Sequence, residues 1–323
     1  KEGFSYSLCG FGQNLICTII GSYLTVFMTD AIGFNALAVA FLMLGARIFD
    51  ALNDPIMGSI VDRTRTKWGK CRPYMKWMAF PIAIMTAICF LPWYPQSDGG
   101  FAAISVMYVV WGMIYTVADV PYWGLSTAMS NDTYRRGNLL TIARLFCTAG
   151  AGIVTVITPI ITDNMTKGLD PVAKGEMLKW IYFVIAIVCC VIAVPLFFLG
   201  FKNTTERNIS TENPPSLGHN LKLLFKNKPL MLIVLSGIGG AARMLFTYTG
   251  GLYFAKYIMD KESMYSLFTM AIVPGGLVAS LLVPWCTKKF GKRNTYIWSH
   301  IVGGVAMLIA FIVGIACDRG AYT

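Results

Sequence analysis

The sequence predicts an all-α polytopic membrane protein, built as a six-helix bundle followed by the start of a second bundle. Three observations carry this. Of 323 residues, 56% are apolar and only 13% charged, against roughly 25% charged in a soluble domain. Uncharged runs recur at membrane-spanning length. And a short basic-aromatic-glycine motif occurs twice, at matching points of the two halves.

The uncharged runs are 3–29, 77–97, 99–118, 180–201, 263–287 and 294–317. Each reaches the roughly 20 residues needed to cross a 30 Å hydrocarbon core. Allowing single intramembrane charges adds spans at about 36–61, 139–162 and 229–257, which makes nine helices. The first run is too long for a signal peptide and lacks a small-residue cleavage site. The polar stretch 202–228, with Pro214-Pro215, divides the chain into a six-helix bundle, 1–201, and three helices of a second bundle, 229–323. Lys67-Trp68-Gly69-Lys70-Cys71-Arg72 is echoed by Lys289-Phe290-Gly291-Lys292-Arg293, each after the second helix of its half. Repeated halves are a mark of transporters. On that reading the second half has three further helices beyond Thr323, and the chain is a fragment.

The net charge of +11 is topological. Alternate connections, together with Lys1, carry 18 Lys and Arg, against 5 on the other side. This places the N-terminus in the cytoplasm and requires no nucleic-acid partner. Nine cysteines form no CxxC or Cys/His cluster, and there are two histidines. Neither a disulfide framework nor a zinc site is expected. Gly237-Ile238-Gly239-Gly240 mimics a dinucleotide fingerprint but lies within a span. Asn164-Met165-Thr166 matches a glycosylation acceptor only by pattern.

Function is most legible at Asp50-Ala51-Leu52-Asn53-Asp54, inside the second span. A carboxylate at mid-bilayer costs about 2.5–3.5 kcal/mol on insertion scales. Arg47, Asp50 and Asp54 share one helix face, with Asn53 beside them. Two carboxylates at i,i+4 repel, so one is protonated or a cation sits between them. These hard oxygens suit Na⁺, with H⁺ as the competing outcome; no other metal and no cofactor is expected. A structural Arg47–Asp50 ion pair, or Asp54 simply ending the helix before Pro55, is the plainer reading. It leaves one carboxylate unbalanced.

The fourth span places Tyr115, Thr116, Asp119, Tyr122, Trp123 and Ser126 at helical spacing. Aromatic rings can stack on the C–H face of a sugar while a carboxylate accepts its hydroxyl protons. An aromatic packing stripe would not need Asp119. Arg144, in the fifth span, should find an acid, with Asp119 the preferred partner. Gln13 and Asn14 in the first span would contact substrate or bridge helices. Arg243 joins Arg47 as a charge-pairing or gating candidate, and Lys256 snorkels.

These residues resemble the signature of the glycoside–pentoside–hexuronide:cation symporters of the major facilitator superfamily. The resemblance rests on Arg47, Asp50, Asn53, Asp54, Pro55 and Gly58, followed by Arg63, Trp68-Gly69-Lys70 and Arg72-Pro73. Trp111-Gly112, Tyr115-Thr116, Asp119, Pro121, Tyr122 and Trp123 extend it. It implies a major facilitator-type fold of two six-helix bundles around a cavity open alternately to each side. It places Asp50, Asn53, Asp54 and Thr116 on the cation site, and Tyr115, Asp119, Trp123 and Arg144 on the sugar site. Where the melibiose-carrier pattern has a Lys-Asp pair, this chain has Gln13-Asn14, which points away from galactosides; Arg144 and Arg243 would suit a carboxylated sugar.

The expected function is Na⁺- or H⁺-coupled symport of a sugar or glycoside by a monomer in a bacterial inner membrane. A same-fold carrier of another cargo, such as a lysolipid, and a transporter-derived sensor are the alternatives. An intramembrane aspartyl protease is excluded, since its two acids must face each other from different helices.

Overall fold

A computed structural model describes residues 1–207, 217–245 and 263–316. The described residues are helical, with one isolated bridge, Thr66 to Gly69, and no strand. The chain divides into two compact units, Lys1–Leu217 and Gly218–Thr323.

The first unit holds six long helices. α1, Glu2–Ile32, passes through two π-helical turns at Ile19–Tyr23 and Phe27–Ile32. It ends at Gly33, whose φ of +89° is open to glycine at no steric penalty. α2, Ala36–Arg63, starts where the Asn35 side chain accepts from the amides of Leu37 and Ala38. It continues through Pro55 without a break, so Asp54 lies well inside a helix and does not terminate one. α3 is Arg72–Cys89, α4 Asp98–Met129, α5 Thr133–Thr166 and α6 Pro171–Asn203. Ser97 and Asp132 cap α4 and α5 through their side-chain oxygens; Pro171 opens α6, where no amide is needed.

Among the described residues, five helices are long and apolar enough to cross a membrane: α1, α2, α4, α5 and α6. α3 departs from the expected 74–94 span. Its 18 residues give about 27 Å, its first turns carry Arg72 and Lys76, and it stops at Cys89, ahead of the Pro92 and Pro95 turn.

α1 is the axis of this unit. It packs on α5 and α6, while α3 packs on α4 and α6, and α2 on α4. Within their most apolar stretches, 56% of α1 is buried but only 11% of α2. α1 meets α4 through Tyr6 and Tyr122, whose rings stack at 4.6 Å. Each hydroxyl donates to the other's backbone carbonyl, at 3.1 and 3.3 Å. Gly10 permits this, because a Cβ there would run into the Tyr122 ring and the Cys147 sulfur.

The end of α6 ties this unit together at the expected cytoplasmic side. The Glu206 carboxylate accepts from the amides of Lys70, Cys71 and Arg72 at 2.8–2.9 Å, filling the donor-rich N-terminus of α3. Burial, reinforced by that carboxylate, pushes the Cys71 thiol up to about 12. Arg72 returns the contact by donating to the Phe201 carbonyl at 2.7 Å. The Arg207 guanidinium donates to Glu2 at 2.8 Å, and the Arg207 amide to the Ala128 carbonyl.

In the second unit, α7 is Leu217–Lys226, α8 Lys228–Leu245, α9 Ser263–Phe290 and α10 Lys292–Ala316. α9 packs on α10, and Ser236 of α8 shares a 2.7 Å hydrogen bond with Tyr296 of α10. The repeated motif has a repeated conformation. Gly69 and Gly291 both take positive φ, +104° and +77°. Lys67 lies over the Trp68 ring at 4.8 Å, and Lys289 over the Phe290 ring at 5.4 Å.

Candidate functional site

A cavity of about 190 Å³ is walled by α1, α2 and α4. It brings Asp50, Asp54 and Arg47 from α2 together with Tyr115, Thr116 and Asp119 from α4. Cys17, Ile20 and Gly21 of α1 form the remaining wall. Thus three of the four predicted cation ligands, Asp50, Asp54 and Thr116, and part of the predicted sugar site open onto one space.

On α4 the carboxylate is gripped. Asp119 Oδ1 accepts from Gln13 Nε2 at 2.5 Å and from Trp123 Nε1 at 3.1 Å. Gln13 Nε2 also reaches the Tyr115 hydroxyl at 3.3 Å. Gln13 is 1% exposed, and its Oε1 has no hydrogen-bond partner among the described residues. The Tyr115 ring stacks on Trp111 at 4.9 Å, and Trp111 is pinned by an indole hydrogen bond of 2.8 Å to Thr86 on α3. A stack of rings beside an oriented carboxylate is what a hydroxyl-rich ring with an apolar face requires.

The α2 side is open. Asp50 meets Arg47 at 3.8 Å, with side chains 29% and 69% exposed. One guanidinium at this distance cannot balance two adjacent carboxylates. Asp54 is exposed and Asn53 half-buried. Thr116 is buried and lines the same cavity. Gly112 on α4 lets α2 come close: a Cβ there would stand 3.1 Å from Asp50 Oδ1. Among the described residues no group of three or more His, Cys, Asp or Glu gathers as it would around a transition metal.

Three expectations are revised. Arg144, expected on Asp119, stacks instead over Trp123, with its guanidinium carbon 4.2 Å from the ring centroid. The indole hydrogen bond to Asp119 leaves the ring face free for this cation–π contact. Asn14 donates to its own helix, to the Gly10 carbonyl at 3.0 Å, and neither it nor Asn53 lines the cavity. Gln13 and Trp123 reach the cavity wall through Asp119, and Arg144 through Trp123. The Arg243 side chain and Lys256 lie outside the described residues.

Tyr108, Trp111, Gly112 and Cys17 line the cavity without having been singled out as site residues. The signal was periodic. Stepping back from Asp119 by four, four and three residues reaches Tyr115, Trp111 and Tyr108, and one turn on from Gln13 is Cys17.

The family described as MFS/sugar transport protein matches residues 5–321. The chain belongs to that family. Its relatives include the isoprimeverose transporter of Lactiplantibacillus pentosus, 32% identical over 317 residues, covering 96% of this chain and 64% of that protein. The glucuronide carrier protein homolog of Escherichia coli (strain K12) is 26% identical over 314 residues, covering 96% and 66%. A protein of the same organism with the provisional name glycoside/cation symporter YagG is 26% identical over 321 residues, covering 97% and 66%. The chain spans just under two thirds of the length of these relatives. The all-α, major facilitator-type fold and the resemblance to glycoside–pentoside–hexuronide:cation symporters are both upheld. The chain is an integral membrane protein of a transporter family and not of an enzyme family.

Proposed function

We propose that this protein carries a sugar or glycoside across the bacterial inner membrane by cation-coupled symport, with alternating access and a cytoplasmic N-terminus. Its working unit is the monomer, made of an N-terminal bundle, 1–201, a linker, 202–228, and a second bundle that begins at 229. The observation that carries this reading is the single cavity on which Asp50, Asp54 and Thr116 open beside Tyr115 and Asp119.

On this reading Na⁺ or H⁺ engages Asp50 and Asp54, with Thr116 adding a hydroxyl oxygen, and relieves the repulsion between the acids. With α2 drawn to α4, the sugar hydroxyls donate to Asp119, held in place by Gln13 and Trp123, and the sugar ring stacks on the aromatic wall. Arg144 supports the Trp123 face, and Arg47 and Arg243 balance charge as the protein changes state. The cation and the sugar each raise the other's affinity by one common factor, as linkage requires. At about 190 Å³ the space falls below the roughly 300–1,000 Å³ of drug-sized sites, which favours one sugar ring held here and the rest of a glycoside held by other walls. The polar groups on these walls speak against a lysolipid.

Counterflow in membrane vesicles tests this. A panel of isoprimeverose, a glucuronide, lactose and free pentoses is offered with and without Na⁺, and at several pH values. Exchange of at least one sugar, stimulated by Na⁺ or H⁺, is expected. No exchange of any sugar under any cation condition would refute the proposal.

A further inference from the structure

α7 is a short helix whose residues do not line the cavity, and most of them divide between two faces, with Leu223 on the flank of the polar side. On a 3.6-residue turn, positions 217, 221, 224 and 225 (Leu, Leu, Leu, Phe) fall on one side and 219, 222 and 226 (His, Lys, Lys) on the other. Phe225, on the apolar side, is 68% exposed. Lys222 and Lys226 are exposed as well. No acidic residue occurs from 217 to 245, while Lys228 adds a third positive charge.

Asn227 joins this helix to the next with nothing to spare. Its amide donates to the Leu223 carbonyl, closing α7, while its side-chain oxygen accepts from the Leu230 amide, capping α8. α8 then opens on exposed apolar residues, Leu232, Ile233, Leu235 and Ile238, at the start of the span the sequence predicts over 229–257. With a membrane span beginning at 229, a helix that ends at Lys226 is held at the membrane surface. A basic face opposite an apolar face is the pattern that lies in that plane.

We propose that α7 is an interfacial anchor for the cytoplasmic leaflet. Its leucine and phenylalanine side enters the headgroup boundary, and Lys222, Lys226 and Lys228 engage anionic phospholipid. Each lysine near an anionic surface adds roughly fivefold to the preference for it, so the three set a strong dependence on lipid charge. The proposal rests on a membrane span beginning at 229 and on the proposed cytoplasmic placement of the linker, and is independent of which solute is carried.

The test uses the full-length protein in nanodiscs, which expose both faces, made of phosphatidylcholine alone or with one third phosphatidylglycerol. The F225C variant is labelled with a membrane-impermeant maleimide, and the wild-type signal is subtracted. Labelling at least fivefold slower in the phosphatidylglycerol discs is expected. The difference should shrink to below twofold in 0.5 M salt, where the screening length is about 4 Å, and in a K222Q/K226Q background. H219C, on the basic side, should label at the same rate in both discs. Equal F225C rates in the two discs would overturn the anchor. So would protection independent of lipid charge, or equal protection of H219C, since both mean that protein covers the segment. Size-exclusion elution as a single species confirms that each variant is folded.

Discussion

Asp119 and the Asp50–Asp54 pair face one cavity from opposite circumstances. The first is held by two donors, on a helix whose neighbours are pinned by Trp111 and by the Tyr6–Tyr122 stack. The second stands on the least buried helix of the unit, next to one exposed arginine at 3.8 Å. A preorganised acceptor binds a neutral solute without first rearranging. An unbalanced acid pair holds free energy that only a cation or proton releases. On the proposed function the contrast would give recognition to α4 and coupling to α2, and each substitution below is aimed at one side of it.

The largest effect is expected for D119A. It strips the acceptor from Gln13 and Trp123, and an orphaned buried donor costs roughly 1–3 kcal/mol. Sugar affinity, measured by isothermal titration or displacement, should fall by about 100-fold, while direct Na⁺ binding changes less than about threefold. Next come D50N and D54N. Each removes the repulsion that the cation relieves, so cation stimulation of sugar binding should vanish, with cation-free sugar affinity raised toward the cation-loaded value of the wild-type protein. Stimulation persisting in both variants would break the division of labour.

G112A sharpens the comparison at the seam between the two helices. The added methyl group would stand 3.1 Å from Asp50 Oδ1 and must displace that carboxylate. The half-saturating cation concentration should rise about fivefold, roughly 1 kcal/mol, with sugar affinity in saturating cation little changed. The smallest effect is expected for R47Q. A pair this exposed is worth less than about 1 kcal/mol, so cation affinity should shift by no more than about threefold in a cation titration.

How much of this was legible in the sequence follows from what each feature depends on. Helix positions depend on runs of apolar residues, and α1, α2, α4, α5 and α6 lie where those runs put them. α3 departs because its end is decided by the turn at Pro92 and Pro95, which a count of uncharged residues passes over. The two acids of α2 and the Tyr115–Asp119–Trp123 stripe could be read because a single helix fixes their spacing. Partners on different helices could not. Arg144 was matched to Asp119 on charge alone, yet the indole of Trp123 lies between them in the contact network, and Gln13 supplies the grip that an arginine was expected to give. Glu206 escaped notice because its partners are backbone amides 134–136 residues away, which side-chain chemistry does not advertise.

The central claim is that the pair on α2 and the acid on α4 are thermodynamically coupled through one cavity. The most direct test titrates the full-length protein with the sugar selected by counterflow, with and without saturating cation, and then with the cation, with and without saturating sugar. The account predicts that each ligand tightens the other by the same factor, about tenfold or more, and that D54N brings both factors to one. Factors of one in the wild-type protein, or coupling that survives in D54N, would contradict it.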